Sequence, residues 1–539
     1  MRTRLATLLW SCCIAAEAHV GSPNVIFEGQ AGQYPVRVVI RPPQVVPGLA
    51  EITVRGPAEP DLRVTVLPVF WNAGRKGAPP PDEAHLVRGE TNLYSAQLWL
   101  MKPGAYSMDV TVEGPGGKGT LIVPVNAMAT NTRPMSRGYG LTLSALGLVL
   151  FLGGVKIVGS IFGQSGLDPG ALPTRKDRWR GRAAMVVAAA VLSLMGFGGK
   201  KWWDFEDRNY RNNSLYKPFP VSAQVRTERE EHILSIAVDA SERRGQWTPL
   251  LSDHGKMMHL FLVHAKREDA FAHLHPVHRS GAEFEAALPP LPAGRYHLYA
   301  DVTHEDGFAE TLAATVEVPP ASSGMKALWL GNSAEPLCSA AVAQRLATNL
   351  FFPPDRDDSW HWDSGVRTAQ PSGSFSPDAD QRVAELSGGY KMIWENAGPL
   401  VENRDASLRF KLLAPGNQPA VIEPYLGMVG HAVVRRQDGA VFAHIHPAGT
   451  FSMAAQEFFV NGKRSKNSTS AWQPGESSAG EPSLGRLLQH SHTNSVGWVE
   501  EVSFPYAFPQ LGLYRLWIQM KCEGRILTGV FDATVASAK

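Results

Sequence analysis

A strand pattern that begins with Gly-x-Tyr occurs three times in this 539-residue chain and constrains its fold more than any other feature. Each copy follows another candidate strand and a turn that contains Pro or Gly. Repetition of one late strand predicts that three related β domains share the chain. The copies are Gly104-Ala-Tyr106-Ser-Met108, Gly294-Arg-Tyr296-His-Leu298 and Gly512-Leu-Tyr514-Arg-Leu516.

The sequence around these copies is typical of antiparallel sandwiches. Short runs of alternating apolar and polar residues, such as Val36–Ile40 and Leu62–Val66, are bounded by Gly and Pro. Gly-x-Tyr at the start of a late strand resembles the tyrosine corner of immunoglobulin-like domains, in which the phenol fixes a neighbouring connection. We therefore predict a mainly β protein with three Ig-like or cupredoxin-like β-sandwiches.

Three apolar segments predict export and membrane attachment. Residues 1–18 combine a basic start, an apolar run and small residues at the end, which is typical of a cleaved signal peptide. Two apolar stretches within residues 133–203 predict a transmembrane hairpin between the first and second sandwiches. Export of the first sandwich places the Arg-rich linker 163–182 in the cytoplasm. Both β regions then lie on the periplasmic or cell-surface side of a bacterial cytoplasmic membrane. An uncleaved anchor and a pair of buried core helices are the alternatives.

Composition and turn signals divide the rest of the chain. Residues 321–385 lack periodicity and predict a linker with one short helix near Ala340–Leu350. The Ser/Gly/Lys-rich residues 461–482 predict a mobile insertion in the last sandwich. The sandwiches themselves are expected at residues 19–132, 218–320 and 386–539.

The second and third sandwiches share a Phe-Ala-His-x-His-Pro motif, at Phe271–Pro276 and Phe442–Pro447. Alternating strand side chains place the two histidines of each His-x-His pair on one face, with Cα atoms roughly 6.5 to 7 Å apart. A two-residue hairpin turn at Asp438-Gly439 then places His431 opposite His446.

The first repeat has a loop one residue longer, and a turn centred on Arg267 restores the same arrangement. It places His259 opposite His275, with His273 on the same face. Each repeat therefore predicts three imidazoles on one surface, and we expect each set to bind one metal ion in its own domain. The candidate ligands are His259, His273 and His275 in the first repeat and His431, His444 and His446 in the second.

Three imidazoles with an open fourth position are typical of Cu(II) or Zn(II) sites. Thioethers add affinity for Cu(I), and Met258 and Met428 lie near the motifs in sequence. We therefore predict copper, with zinc as the alternative. The competing interpretation is a packing motif in which the histidines only fill space. We expect His490 and His492 to form an exposed pair. Cys338 and Cys522 are expected to be thiols without a local partner.

A further copper site is predicted at the mature N-terminus. Cleavage after Ala18 would leave His19 first, and its α-amine and imidazole can chelate Cu(II), as in CopC-type carriers and histidine-brace enzymes. Within the first sandwich, only His85 is then available to complete the coordination.

Two regions, 233–318 and 390–535, resemble a group of poorly characterised bacterial exported domains related to the YtkA-like family. The resemblance implies an exported β fold and carries no biochemical activity. The matching residues are Glu423-Pro-Tyr425-Leu-Gly-Met428, Gly430-His431, Asp438-Gly439, Phe442-Ala-His444-Ile-His446-Pro447 and Gly512-Leu-Tyr514.

The order of sandwich, two-helix hairpin and C-terminal β region also looks like the layout of the copper-bearing subunit of particulate methane monooxygenase. That family holds copper with an N-terminal histidine and a His-x-His in its first sandwich. Here the first sandwich contains only His19 and His85, so the likeness concerns layout alone.

Charge and motifs exclude several classes of function. The formal net charge of +2 provides no basic field for nucleic acid, and no phosphate loop or nucleophile elbow supports a kinase or hydrolase. We expect a non-enzymatic, membrane-anchored protein that binds copper, or zinc, for storage, delivery or sensing, with metal-transport or respiratory proteins as partners. The alternatives are a structural or interaction module, and a subunit of a copper-dependent membrane oxidase.

Overall fold

The computed structural model describes nine stretches of the chain, and they divide into two units. The residues from Met128 to Tyr216 form one unit, and the β domains before and after them form the other. The predicted signal peptide, His19, Arg267, His490 and His492 lie outside the described residues. The described stretches are residues 24–59, 61–168, 170–241, 247–266, 270–330, 338–362, 382–396, 398–465 and 501–538.

The first β domain contains eight antiparallel strands, joined in the order β1-β2-β3-β6-β5-β4-β7-β8. Apolar and polar positions alternate, so that one face of each strand is buried, as in β3 and β6. The strands are β1 (Val25–Ala31), β2 (Tyr34–Arg41), β3 (Gly48–Arg55), β4 (Arg63–Phe70), β5 (Asp82–Leu86), β6 (Leu93–Leu100), β7 (Gly104–Gly114) and β8 (Gly117–Ala127).

The second unit is a helical hairpin of α1 (Arg137–Gln164) and α2 (Arg175–Asn213). Both helices are long and apolar enough to cross a membrane, and they meet at the buried glycines Gly159 and Gly181. The sequence placed a linker at 163–182, but α2 already begins at Arg175. The reason is a capping box: Thr174 Oγ1 accepts from the Asp177 N–H, and the Asp177 carboxylate accepts from the Thr174 N–H. The basic residues therefore lie on the first turns of α2.

The second β domain is a sandwich of two sheets. Its outer sheet has the order β14-β15-β10-β9, and its inner sheet the order β11-β16-β12-β13-β19, with β17 paired to β16. The strands are β9 (Val221–Glu228), β10 (Glu231–Val238), β11 (Leu250–Leu251), β12 (His259–His264), β13 (Phe271–Leu274), β14 (Val277–Ser280), β15 (Glu283–Leu288), β16 (Gly294–His304) and β17 (Ala309–Val318), followed later by β19.

The segment between the second and third β domains is more structured than the predicted linker. It contains α3 (Ser323–Leu330), β18 (Cys338–Ser339), α4 (Ala340–Asn349) and β19 (Ser359–His361). The helix predicted near Ala340–Leu350 is α4. Large apolar side chains such as Trp329 and Trp360 pack into the core of the second sandwich, and their burial orders this part of the segment.

The third β domain repeats the two-sheet arrangement. Its inner sheet has the order β18-β29-β28-β25-β26, with β22 paired to β29, and its outer sheet the order β20-β21-β23-β24, with β27 paired to β23. Helix α5 includes residues 461–465 of the predicted insertion; the rest of that insertion lies outside the described residues. The elements are β20 (Val383–Glu385), β21 (Lys391–Trp394), β22 (Leu400–Val401), β23 (Asp405–Ala414), β24 (Gln418–Pro419), β25 (His431–Arg436), β26 (Phe442–Ile445), α5 (Met453–Ser465), β27 (Glu501–Ala507), β28 (Gly512–Cys522) and β29 (Arg525–Ala536).

The two inner sheets pack against each other, so the second and third sandwiches form four stacked layers. Between each inner sheet and its own outer sheet lies a conventional apolar core. A third core lies between the two inner sheets and joins residues of both repeats, including Phe261, Val433 and Trp517. The inner strands are therefore buried on both faces.

The three Gly-x-Tyr copies form the predicted tyrosine corners. In each domain the phenol donates to the carbonyl four residues upstream: Tyr106 to Lys102, Tyr296 to Pro292, and Tyr514 to Gln510. The glycine before each tyrosine has a positive φ of 131° to 141°, which favours Gly over other residues.

Candidate metal centre

The two histidine motifs lie on neighbouring hairpins with the predicted registers. In the first repeat, the pairing of β12 with β13 places His259 opposite His275. In the second repeat, the pairing of β25 with β26 places His431 opposite His446. The register calculated from hairpin geometry is therefore confirmed in both repeats.

Each set of three histidines converges on one point. One nitrogen from each ring lies within 4.8 Å of the other two, an arrangement that could hold a metal ion. We call His259, His273 and His275 the first triad, and His431, His444 and His446 the second triad.

In the first triad, one ring nitrogen of His259 faces one of His273. Nε2 of His259 lies 3.2 Å from the carbonyl oxygen of Asp253, which can only accept, so Nε2 carries the ring proton. Nδ1 of His273 lies 3.0 Å from Oε1 of Gln519 and 3.3 Å from the hydroxyl of Tyr425. The remaining nitrogens, Nδ1 of His259 and Nε2 of His273, are 3.2 Å apart. With the His273 proton on Nε2 this contact is a hydrogen bond, and with the proton on Nδ1 both facing nitrogens are unprotonated, as metal ligation requires.

In the tautomer with both facing nitrogens unprotonated, a cation between them relieves the repulsion of their lone pairs. Nitrogens that share one ion at 2.0–2.1 Å in tetrahedral geometry are roughly 3.3 Å apart, close to the spacing of His259 and His273. The pair is therefore spaced like two ligands of one ion.

His275 completes the first triad. Its Nδ1 lies 3.0 Å from Oδ1 of Asp358, and its Nε2 is buried without a hydrogen-bond partner among the described residues. Asp358 also accepts the backbone N–H groups of His275, at 2.7 Å, and of Asp355, at 2.9 Å. Such a carboxylate behind an imidazole fixes its tautomer and raises its basicity as a ligand.

The second triad repeats the arrangement with one weaker support. Nε2 of His431 lies 3.0 Å from the carbonyl oxygen of Tyr425, and its Nδ1 lies 3.1 Å from Nε2 of His444. Nδ1 of His444 lies 3.4 Å from Oδ2 of Asp301. Neither ring nitrogen of His446 has a hydrogen-bond partner in the described part of the chain, although both are buried.

A duplicated tight turn holds the first histidine of each triad and brings a seventh imidazole to the cluster. His254 and Leu426 occupy the same position in the two turns, each with a positive φ and each followed by glycine. The His254 ring lies 5.2 Å from that of His446 and 5.8 Å from that of His431, measured between centroids. The turn of the first repeat thus places a histidine beside the second triad.

The two triads adjoin, although the sequence predicted separate sites in separate domains. Ring centroids within a triad are 4.5 to 5.4 Å apart. Between the triads, His444 lies 5.4 Å from His259 and 5.6 Å from His273. The expected separation of the two sets is wrong, because the inner sheets pack face to face and bring both histidine surfaces together; one metal ion per set stays a prediction.

Each repeat also supports the other repeat's triad. Gln519 of the third sandwich contacts His273 of the second, and Asp301 of the second contacts His444 of the third. These two supporting residues occupy equivalent positions after the Gly-x-Tyr pattern. Aromatic side chains also pair across the two repeats: Phe271 stacks on Trp517, and Phe442 stacks on Tyr299.

Burial keeps the imidazoles neutral, as metal ligation requires. The loss of solvent lowers the pKa of His259 to about 4. Burial, and then the neighbouring histidines, lower the pKa of the other five triad members well below the ordinary value. In contrast, burial raises the pKa of the Asp301 carboxyl to about 7.

The sulfur ligands predicted from sequence fare differently from the histidines. Met258 is buried in the core of the second sandwich, and its role as a ligand stays a prediction. Met428 ends the tight turn that begins at Tyr425, and its role stays a prediction. Cys522 is a free thiol buried in the core of the third sandwich. Nothing in the described residues tests the site predicted at His19.

Several supporting residues escaped the sequence analysis, chiefly Asp358, Gln519, Asp301 and Tyr425. Asp358 lies in the segment that was predicted to be a linker. One signal could have indicated the shared interface. The unbroken apolar run Leu260–Val263 is typical of a strand buried on both faces, so a second sheet had to cover the histidine surface.

Comparisons with known proteins identify a domain but no activity. A family model described as a domain of unknown function (DUF8832) matches residues 219–320 and 384–476, the two regions that carry the histidine motifs. No curated protein matches the chain.

Among solved structures, latent PorU from Porphyromonas gingivalis is 8% identical with a TM-score of 0.13; the match covers 96% of this chain and 34% of PorU. This chain thus spans about a third of the PorU chain. A protein described as membrane anchored, from Corynebacterium diphtheriae, is 8% identical with a TM-score of 0.12, over 96% of both chains. These similarities are too low to carry an argument.

Proposed function

We propose that this protein is a membrane-anchored, exported metal-binding protein whose histidine cluster holds copper for storage, delivery or sensing. The observation that carries the proposal is the convergence of three imidazoles in each triad, with one nitrogen of each ring within 4.8 Å of the other two. In the first triad the facing nitrogens of His259 and His273 are 3.2 Å apart, close to the spacing of two ligands of one ion.

Copper is favoured over zinc by the composition of the donor set. All candidate ligands in the two triads are imidazoles, which suit both Cu(II) and Zn(II), and the affinity of a nitrogen site is generally higher for Cu(II). Three ligands at each triad leave a fourth position open, which differs from the closed sites of structural zinc and is shared by copper and catalytic zinc.

The side of the membrane is part of the proposal and rests on the sequence. An exported first sandwich followed by two spans returns the histidine repeats to the exterior. Introduced cysteines in 60–110 and 400–450 should react with an impermeant reagent on intact cells, whereas cysteines in 165–174 should react only after lysis. If the cysteines in 165–174 alone react on intact cells, the protein has the opposite topology.

Metal titration of the full chain in detergent tests the function itself. We expect Cu(II) to bind more tightly than about 10 μM, which corresponds to roughly −7 kcal/mol, and Zn(II) to bind more weakly. The double variant His275→Ala/His446→Ala should lose this binding, because it removes one ligand from each triad. His278→Ala is the matched control, since His278 is exposed on β14. If wild type and double variant bind alike, the histidines are structural and the interaction-module alternative takes over.

A further inference from the structure

The spacing of the two triads indicates one centre with two ions. Rings of opposite triads are 5.4 to 6.1 Å apart between centroids, little more than rings of the same triad. Three ligands per triad leave one position of a four-coordinate ion open. Paired ions in two-metal sites are typically about 3.5–4 Å apart, a separation that a small ligand can bridge.

The protein fixes this spacing instead of leaving it to domain motion. Gln519 and Asp301 each reach across the interface to a histidine of the other repeat. The core between the inner sheets is made of fully buried aromatic and apolar side chains, among them Phe261, Phe442 and Trp517. A change in the distance between the triads would therefore break the hydrogen bond between His273 and Gln519, the contact between His444 and Asp301, and the aromatic packing.

Charge supplies the reason for a bridging ligand. Two copper ions in a buried cluster of neutral imidazoles repel each other strongly, because little water screens them. Neither triad includes a carboxylate, although Asp355 and Asp358 form a third candidate group with His275, and Asp301 lies behind His444. An anion held between the ions lowers this repulsion.

Burial limits the bridging ligand to a small molecule. His273 and His431 have no exposed surface, and His259, His275 and His446 are at most 5% exposed. So little exposed surface favours a small ligand, such as a diatomic molecule, over an organic substrate. Dioxygen fits because it accepts two electrons, one from each Cu(I), and becomes a bridging dianion.

We propose that the two triads hold a coupled pair of copper ions, and that the reduced pair binds dioxygen between them. This rests on the copper binding proposed above. Two Cu(I) ions each give one electron to the dioxygen, which is bound as peroxide between two Cu(II) ions. No bond to the protein forms and no proton is consumed, so the step balances with dioxygen as the oxidant and Cu(I) as the reductant.

Electron paramagnetic resonance of the full chain in detergent tests the coupling. The protein is loaded with Cu(II), its copper is quantified by mass spectrometry, and the spin signal is integrated. We expect two copper ions per chain with most of the spin signal missing, because neighbouring Cu(II) ions couple through the bridge. The variant His446→Ala should keep one copper at the first triad and recover its full signal, and His278→Ala should behave as wild type. Two bound ions with full signal in the wild type would show isolated sites and overturn the proposal.

Dioxygen uptake tests the ligand. The copper-loaded protein is reduced without oxygen, freed of reductant and mixed with buffer that contains dioxygen. We expect one molecule consumed for every two Cu(I) ions, with a new absorption band, and none in His446→Ala. Coupled ions without uptake would overturn the assignment of dioxygen. A chain that binds no copper at all refutes the proposed function instead, so the two failures are distinguishable.

Discussion

The first and second triads share a geometry but differ in what stands behind the ligands. Both hold their first histidine through the carbonyl of a tight turn, at 3.2 Å in one and 3.0 Å in the other. The first triad has Asp358 behind His275, whereas His446 has no such support among the described residues. The second triad has His254 beside it, while the equivalent turn position in the other repeat is Leu426. The duplication thus preserved the ligands, and the supporting residues diverged.

Lowering the pH tests the buried, neutral imidazoles that both triads share, and we expect it to have the largest effect. Burial lowers the pKa of every triad histidine, to about 4 for His259, below the value of about 6.5 expected in the unfolded chain. The unfolded state therefore binds more protons in this window, and stability is complete above pH 6.5 and lost as the pH falls toward 4. For each histidine that stays neutral in the folded state, the free energy of unfolding falls by about 2 kcal/mol between pH 7 and pH 5.

Urea unfolding of metal-free protein from pH 7.5 to pH 5 measures this loss. The variant His446→Ala should lose less stability over the same range, by the share of one histidine. A free energy of unfolding that does not change with pH would contradict the buried, neutral cluster.

Replacing one ligand tests whether the triads act as one centre. The variant His444→Ala should weaken copper binding at the second triad by roughly a hundredfold or more, since ligands matter at least as much as the groups behind them. Because His444 also adjoins His259 and His273, we expect roughly tenfold weaker binding at the first triad. Calorimetric titration resolves both steps, with His278→Ala as control. If the copper affinity of the first triad does not change, the two triads bind copper independently.

Paired substitutions behind the ligands sharpen the difference between the triads. Asp358→Asn removes a carboxylate 3.0 Å from its histidine, and Asp301→Asn removes one at 3.4 Å. We expect the first variant to weaken copper binding at the first triad by roughly 10- to 100-fold. The second should have a smaller effect at the second triad, because its contact is longer. Copper titration of both variants measures which loss of affinity is larger. Equal losses would show that the two carboxyl groups support their triads equally.

Local geometry made the triads predictable, and distance in sequence hid their environment. Strand alternation and hairpin register relate residues within twenty positions of one another, so the amino-acid sequence alone is enough to place His259 opposite His275. The contact of His273 with Gln519 joins residues 246 positions apart. It depends on how two sheets pack, which no local pattern specifies. The sequence carried one trace of this packing: the unbroken apolar runs Leu260–Val263 in β12 and Ala432–Val434 in β25.

The hairpin shows the same division between local and distant information. Two apolar helices followed from hydropathy, but the start of α2 depended on the capping residues Thr174 and Asp177, which the basic composition of 163–182 concealed. Likewise, residues 321–385 lack periodicity because their apolar side chains serve another domain's core. Trp329 and Trp360 are spaced for packing against the second sandwich, not for a repeating element of their own.

The seventh histidine gives the smallest and most specific test of the comparison. His254→Leu makes the first turn match the second, where Leu426 occupies the same position, so the backbone and the apolar volume are kept. His254 lies nearest His446 and His431, so its removal should change the copper spectrum of the second triad. Affinity there should fall by roughly tenfold or less, about 1.4 kcal/mol, and the first triad should keep its affinity. The reciprocal variant Leu426→His is the matched control: it should place an imidazole beside the first triad and make the two copper spectra more alike. If His254→Leu leaves both spectra unchanged, His254 only fills the edge of the cluster, and the two triads differ solely in the carboxylates behind them.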